Sequence, residues 1–412
     1  MLLASGRLSE HTILHMIFVP PYLSDAVTNQ ITLSSNLDKL LADEFPLARD
    51  MVYLNHAAVS PIPKRTADEI CRFVREYVTA GARDYAVWLE TESKLRDQLK
   101  TLINAPSRDD IALLKNTSEA LSVVAHGFPW RPGDNVVISD EEFPSNRVVW
   151  ESLAEFGVTV HQVSLHAAHM PEQALTDAID ARTRLVAVSA VQFASGLRLD
   201  LDEVGRFCRS RNVAFCVDAI QALGGIQQDV QAANIDFLMA DGHKWMLSPE
   251  GLAVFYCHAD WRERLRLHQF GWHMRDNAGD FDAREWQPAR TACRFECGSP
   301  NMLGIHALSK SLELLLEIGI RAVEDRILER ARYLFQLIHE RPDLACITDQ
   351  TEGRYAGIVQ FRSHALPAEV LHAQLRDKGV IAAVRGGALR YSPHCYTPLN
   401  ALSRAVQAIP SR

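Results

Sequence analysis

"RLVAVSAVQFASGLRLDLDEVGRFCRSRNVAFCVD", residues 184–218, decides the fold: two continuous apolar runs, 184–191 and 213–217, flank a helical segment at 201–211. A strand that is apolar along its whole length has both faces buried. A helix between two such strands carries the chain back to the edge where it started, so the pair lies parallel in one sheet. The alternation continues on both sides. Upstream, "IALLK" (111–115), "NVVIS" (135–139) and "VTVHQV" (158–163) are each followed by a helical pattern: "TSEALSVVAHGF", "SNRVVWESLAEF" and "PEQALTDAI". Downstream, "DFLMA" (236–240) and "GLAVFYC" (251–257) complete the set. We expect an α/β fold, doubly wound, with a mostly parallel sheet in a large domain.

Before this core, "IPKRTADEICRFVREYVTA" (62–80) sets Ile62, Ala67, Ile70, Val74, Tyr77 and Val78 at helical spacing, with Pro61 and Pro63 marking the start. After it, residues 303–340 read as two helices parted near Gly319. "GIVQFRS", "PAEVLHAQLRDKG", "ALRYSP" and a closing helix then outline a smaller α+β domain. We expect an N-terminal extension over 1–30, a large domain over 66–310, and a small domain built from 31–65 and 311–412.

The chain has 412 residues, with 43 basic against 51 acidic and a net charge of -8, which disfavours nucleic acid and anionic membrane as partners. An apolar patch from Ile13 to Leu23 is broken by histidine and a double proline and lacks a cleavage site, so it reads as extension rather than signal peptide. No run approaches the roughly twenty apolar residues of a membrane helix. Eight cysteines show no paired spacing for a metal site, and Cys216 sits inside an apolar run. No metal is expected, and the thiols imply a reducing, cytoplasmic setting.

Ligands of open parallel sheets bind beyond the carboxyl ends of the strands. Asp218 follows "VAFCV", and Lys244 follows "DFLMADGH" in "ADGHKWMLSPEGLAVFY" (240–256), so both arrive at that edge. By themselves they read equally as a salt bridge or as two strand-end charges. Thr117 and Ser118, where a strand gives way to a helix, can hold a phosphate or serve only as a helix cap. Together the three elements match what pyridoxal phosphate needs: a lysine for its aldehyde, a carboxylate for its ring nitrogen, and dipoles with hydroxyls for its phosphate.

Residues 217–256 resemble the aspartate-to-lysine segment of the class V aminotransferase family, fold-type I pyridoxal-phosphate enzymes that include cysteine desulfurases, selenocysteine lyases and isopenicillin N epimerase. The resemblance extends from "YLNHAAVSPIP" (53–63) to "ALRYSPHCYTP" (388–398). It implies Lys244 as the covalent anchor and proton carrier, Asp218 at the ring nitrogen, Gln221 at the ring hydroxyl, and His243 near the phosphate with Thr117 and Ser118. It further implies Ser299, in "RFECGSPN", reaching the phosphate of a neighbouring subunit in a homodimer. Arg390 would grip the carboxylate of an amino-acid substrate, with Arg385 as the competing candidate. Asn55 and His56 would pass close to the substrate, or be a buried, satisfied polar pair.

Two departures shape the expected reaction. Where desulfurases stack a histidine on the ring, the chain offers Phe143 in "DEEFPSN", which can stack but cannot transfer protons. Ala190 stands where a polar residue is expected, leaving Gln192 as its substitute. The segment "GVIAAVRGGALRYSP" is short and carries no cysteine, and Cys395 lies beyond it. We therefore expect transamination or β-elimination rather than persulfide-forming desulfuration, with epimerisation or a noncatalytic binding protein as alternatives. Substrate selectivity is expected from residues 270–290, where Trp272, His273 and Trp286 line a pocket or pack an interface.

Overall fold

The computed structural model describes residues 36–48, 50–165 and 170–410. The expected N-terminal extension, 1–30, lies outside them. Two compact units divide the chain after Asp43: residues 36–43 are helical, and the second unit, from Glu44, holds every sheet.

In chain order the second unit runs β1 (Val52–Tyr53), α1 (Lys64–Ala80), α2 (Tyr85–Leu102), β2 (Ile111–Leu114), α3 (Thr117–Gly127), β3 (Asn135–Ser139), α4 (Ser145–Glu151), β4 (Thr159–Val163), α5 (Pro171–Asp177), β5 (Thr183–Ser189), α6 (Leu201–Arg211), β6 (Ala214–Asp218), β7 (Phe237–Asp241) and β8 (Ala253–Cys257). There follow α7 (Ala259–Arg262), α8 (Met302–Ile318), α9 (Ile320–His339), β9 (Leu344–Cys346), β10 (Val359–Ser363), α10 (Ala368–Asp377), β11 (Val380–Ile381), β12 (Ala383–Arg385), β13 (Ala388–Tyr391) and α11 (Leu399–Gln407).

The seven-stranded sheet has the order β2-β8-β7-β6-β5-β3-β4. Strands β7, β6, β5, β3 and β4 pair parallel, and β8 runs antiparallel to both of its neighbours. Every residue of β3, β6, β7 and β8 is buried, as uniformly apolar runs require, whereas the edge strand β4 is partly exposed. The α/β architecture read from the sequence is the one the structure has. Polar side chains start the helices: Asn116 accepts from the Glu119 amide at 2.8 Å, Asp200 from Glu203 at 3.1 Å, and Asn301 from Gly304 at 3.0 Å. A four-stranded antiparallel sheet, β12-β13-β10-β9, forms a second core with α9, α10 and α11, and β1 pairs with β11.

Helix α1 leaves much of its apolar face open. Thr66 and Phe73 are its buried positions, while Val74, Tyr77 and Val78 are 46%, 58% and 80% exposed. None of the six positions picked by spacing is buried in the single chain, and the two buried residues, Thr66 and Phe73, were not among them.

Candidate active site

Strands β6 and β7 are parallel neighbours, so Asp218, level with Met239, and Asp241, two residues further on, end them at one edge, and the turn after β7 delivers His243 and Lys244 there. That turn is held firmly. Ser60 donates its hydroxyl to the Lys244 carbonyl at 2.6 Å and its amide to the His243 carbonyl at 2.8 Å, and Leu247 sits at φ 59. A buried leucine in the left-handed region costs energy that surrounding contacts must offset, an arrangement common at working sites. The Ser311 hydroxyl on the Leu247 carbonyl, at 2.7 Å, is one such contact.

A cavity of about 240 Å³ opens at this edge. Lys244, Asp218, Gln221 and His243 line it from the β6–β7 side, Thr117 and Ser118 from the start of α3, and Phe143 and Arg390 from further along the chain. The structure thus brings together eight of the expected site residues. Three do not line it in the single chain: Asn55, His56 and Ser299. Ser299 is exposed.

Within the cavity, burial pulls the Lys244 ammonium well below its ordinary pKa, with Arg390 adding to the depression and Asp218 opposing it. Burial pushes the Asp218 carboxyl up, while the Ile220 amide, donating at 3.0 Å, favours its charge. The Lys244 nitrogen lies 5.7 Å from the centre of the Phe143 ring, and Phe193 meets that ring edge-on. Gln221 is tied at both ends: Nε2 donates to the Ala57 carbonyl at 3.0 Å, and Oε1 accepts from Trp245 Nε1 at 3.1 Å.

Arg390 is the most telling group. It is fully buried, 1% exposed, and gives one N–H to the Phe193 carbonyl at 2.6 Å. Its Nε and Nη2 have no partner. Burial and the nearby Arg385 both disfavour its charge. A guanidinium does not discharge in a protein, so the site is built for an anion that neutralises it.

Several expectations need adjusting. The cap of α3 is Asn116, and both the amide and the hydroxyl of Thr117 donate to Asp241 Oδ2, at 3.0 and 3.2 Å. Ser118 gives its hydroxyl only to Ser145, at 2.8 Å, and the buried Nδ1 of His243 has no hydrogen bond but lies 3.8 Å from Asp241 Oδ1; both residues line the cavity there. His56 donates Nδ1–H to the Ser392 carbonyl at 2.7 Å and accepts from the Tyr396 hydroxyl at 2.6 Å, so it is the satisfied buried member of its pair. Gln192 does not substitute for Ala190 at the cavity: its amide donates to Ser139 Oγ and Glu142 Oε1. Trp272, His273 and Trp286 also lie outside the cavity of the single chain.

Sequence reasoning missed Glu142 and Asp241. Glu142 is a buried carboxylate that accepts from Ser139, Asn146, Ser189 and Gln192, and it pushes Asp218 further up. Asp241 is the last residue of a strand beside β6, the same signal that identified Asp218.

The family described as Aminotransferase class-V matches residues 52–408. A probable cysteine desulfurase of Methanothermobacter thermautotrophicus is 32% identical, over 86% of this chain and 87% of its own. A cysteine desulfurase of Salmonella newport is 27% identical, over 89% and 90%. Among solved structures, the cystine C-S lyase C-DES in complex with cysteine persulfide has a TM-score of 0.83 at 21% identity, covering 89% of this chain and 98% of that one. At that identity it supports the fold alone. The relatives overturn the expectation that the chain is set apart from persulfide-forming desulfurases: a short 385–390 segment without cysteine is compatible with close kinship to them. Among the described residues, no helix is long and apolar enough to cross a membrane.

Proposed function

Because the chain belongs to the class V aminotransferase family, it is a pyridoxal-phosphate enzyme, and we propose that it cleaves the carbon–sulfur bond of a cysteine-class amino acid, as a cysteine desulfurase does. One observation carries the reading toward an amino acid: buried Arg390, with two unpartnered nitrogens, shares a cavity with Lys244 and Asp218. The relatives supply the sulfur chemistry.

The residues present fit the cofactor. Asp218 would hold the ring nitrogen protonated, the second amide N–H of Gln221 would meet the ring hydroxyl, and Ser118 with His243 would receive the phosphate. Bound there, pyridoxal phosphate supplies an electron sink for the substrate's α-carbon. Lys244 would carry the cofactor and move the Cα proton, a task suited to an amine whose pKa burial has lowered. Arg390 orients the substrate through its α-carboxylate by a bidentate pair. Phe143, over which the Lys244 nitrogen sits, can cover a face of the ring.

We also propose a homodimer, in which the apolar face of Val74, Tyr77 and Val78 is covered and Ser299 serves the neighbouring subunit. The division into a large domain over 66–310 and a small domain from 31–65 with 311–412 is supported by a seven-stranded sheet within 111–257 and a four-stranded one within 344–391. Eight free cysteines favour a cytoplasmic, reducing setting.

Incubating cofactor-loaded protein with L-cysteine and a thiol reductant tests the reaction. We expect equal release of sulfide and alanine. Pyridoxamine phosphate accumulating without sulfide would overturn it.

A further inference from the structure

Three side chains outside the Lys244 cavity converge beside β2. Glu92 lies on α2 one turn before Arg96, Glu296 follows the single helical turn Ala292–Phe295, and His273 belongs to the irregular stretch between α7 and that turn. Gly271 permits the approach: a Cβ there would stand 2.1 Å from the Cys297 carbonyl oxygen, so the stretch lies flush against the backbone that carries Glu296. One atom from each residue, His273 Nδ1 and a carboxylate oxygen of Glu92 and of Glu296, lie within 4.8 Å of one another. Residues 92, 273 and 296 are too far apart in the chain for spacing to signal the cluster.

Arg96 balances only part of the charge. Its Nη1 and Nη2 donate to Glu296 Oε1 and Oε2, each at 2.8 Å, and Nη2 also donates to Glu92 Oε1 at 2.6 Å. One guanidinium thus faces two carboxylates, and the three residues are each only 6% or 7% exposed. One negative charge is left without a counter-charge where water hardly reaches, which is costly. The unsatisfied atoms mark where the positive charge belongs. Glu92 Oε2 has no hydrogen-bond partner, nor has His273 Nδ1, which lies 3.6 Å from Glu296 Oε2. An imidazolium at His273 is the alternative counter-charge, yet 3.6 Å is too long for a hydrogen bond and Glu92 Oε2 stays bare. A metal ion requires such a spread: ligand atoms bound at about 2.1 Å stand about 3.4 Å apart around a tetrahedral centre.

We propose that Glu92, His273 and Glu296 form a site for a divalent first-row transition ion, zinc in the first place. One imidazole with two carboxylates suits such ions and disfavours magnesium and calcium, whose shells are all oxygen. Arg96 holds both carboxylates from behind, as an outer partner that fixes their orientation. Residues 263–291 contain no helix or strand, and through His273 the ion ties this stretch to α2 and to the backbone leading to Ser299.

Cofactor-loaded protein freed of metal by chelation and dialysis is titrated calorimetrically with zinc chloride, and with cobalt chloride followed by visible absorbance. We expect one stoichiometric equivalent of zinc, and cobalt d–d bands without sulfur-to-cobalt charge transfer. His273→Ala and Glu92→Gln should each weaken that equivalent at least about tenfold, with circular dichroism and cofactor absorbance unchanged. Glu296 is left intact because the Leu113 amide and Arg96 both rest on it. Zinc should also slow tryptic cleavage at Arg275 and Arg284 in wild type and not in His273→Ala. Absence of a stoichiometric zinc equivalent in wild type would overturn the proposal. So would an equivalent that both variants retain, or a cobalt spectrum dominated by sulfur charge transfer, since either places the ion on the cysteines. Cleavage rates equal with and without zinc in wild type would overturn the tethering of residues 263–291.

Discussion

Trp245 Nε1 donates to Gln221 Oε1 at 3.1 Å, so the indole that follows Lys244 orients an amide of the cavity wall. The ring is lodged where the chain leaves no room for a side chain: a Cβ on Gly357 would stand 2.1 Å from it, and one on Gly225 2.9 Å. His394 stacks against it at 5.6 Å and donates Nε2–H to the Trp245 carbonyl at 3.2 Å.

Trp245→Phe keeps most of the packing but strands the buried Gln221 carbonyl. We expect a loss of about 1–3 kcal/mol in urea unfolding and weaker cofactor retention. Unchanged stability together with unchanged cofactor affinity would mean that the indole is packing only.

If Lys244 anchors the cofactor, it would have to react as the neutral amine. With its pKa drawn down from 10.5 by burial, the rate of cofactor capture by the apo protein should rise with pH and level off well before pH 10.5. The signs of the neighbours follow. Arg390→Gln removes a cation that disfavours the ammonium, so the midpoint moves up; Asp218→Asn removes an anion that favours it, so the midpoint moves down. Stopped-flow absorbance across pH reads both shifts.

His56 and His394 are buried and held neutral, His56 well below its ordinary pKa and His394 at about 4 against 6.5, chiefly through burial. The unfolded chain therefore binds their protons first. Stability is complete above about pH 6.5 and falls as the pH drops toward 4. Between pH 7 and 5 His394 alone should cost about 2 kcal/mol, visible as a lower urea midpoint. A midpoint that does not move across that range would contradict this assignment.

Much of the sheet was legible because a strand buried on both faces must be apolar throughout: "NVVIS" is β3, and "VAFCVD" contains β6 whole. Gly319, at φ 86, parts α8 from α9 where the sequence breaks. That Lys244 and Asp218 meet at one cavity was legible because both follow apolar strands of the large sheet; Arg390, inside a strand of the smaller antiparallel sheet, was found only through the family resemblance. Gln192's place was not, since its hydrogen-bond partners, Ser139 and Glu142, come from a distant stretch. The exposed side of α1 shows the same limit in packing: spacing defines an apolar face, but what covers it depends on the rest of the assembly. The exclusion of desulfuration failed because two local departures, Phe143 and the short cysteine-free segment, were weighed above the likeness of the remaining chain to desulfurases.

Borohydride reduction of the cofactor-loaded protein, followed by peptide mass spectrometry, tests most directly whether this cavity works through Lys244. We expect one reduced pyridoxyl group per chain, on the peptide bearing Lys244, with neither label nor sulfide release from L-cysteine in Lys244→Ala. A label on another lysine, or sulfide and alanine still formed by Lys244→Ala, would contradict the assignment.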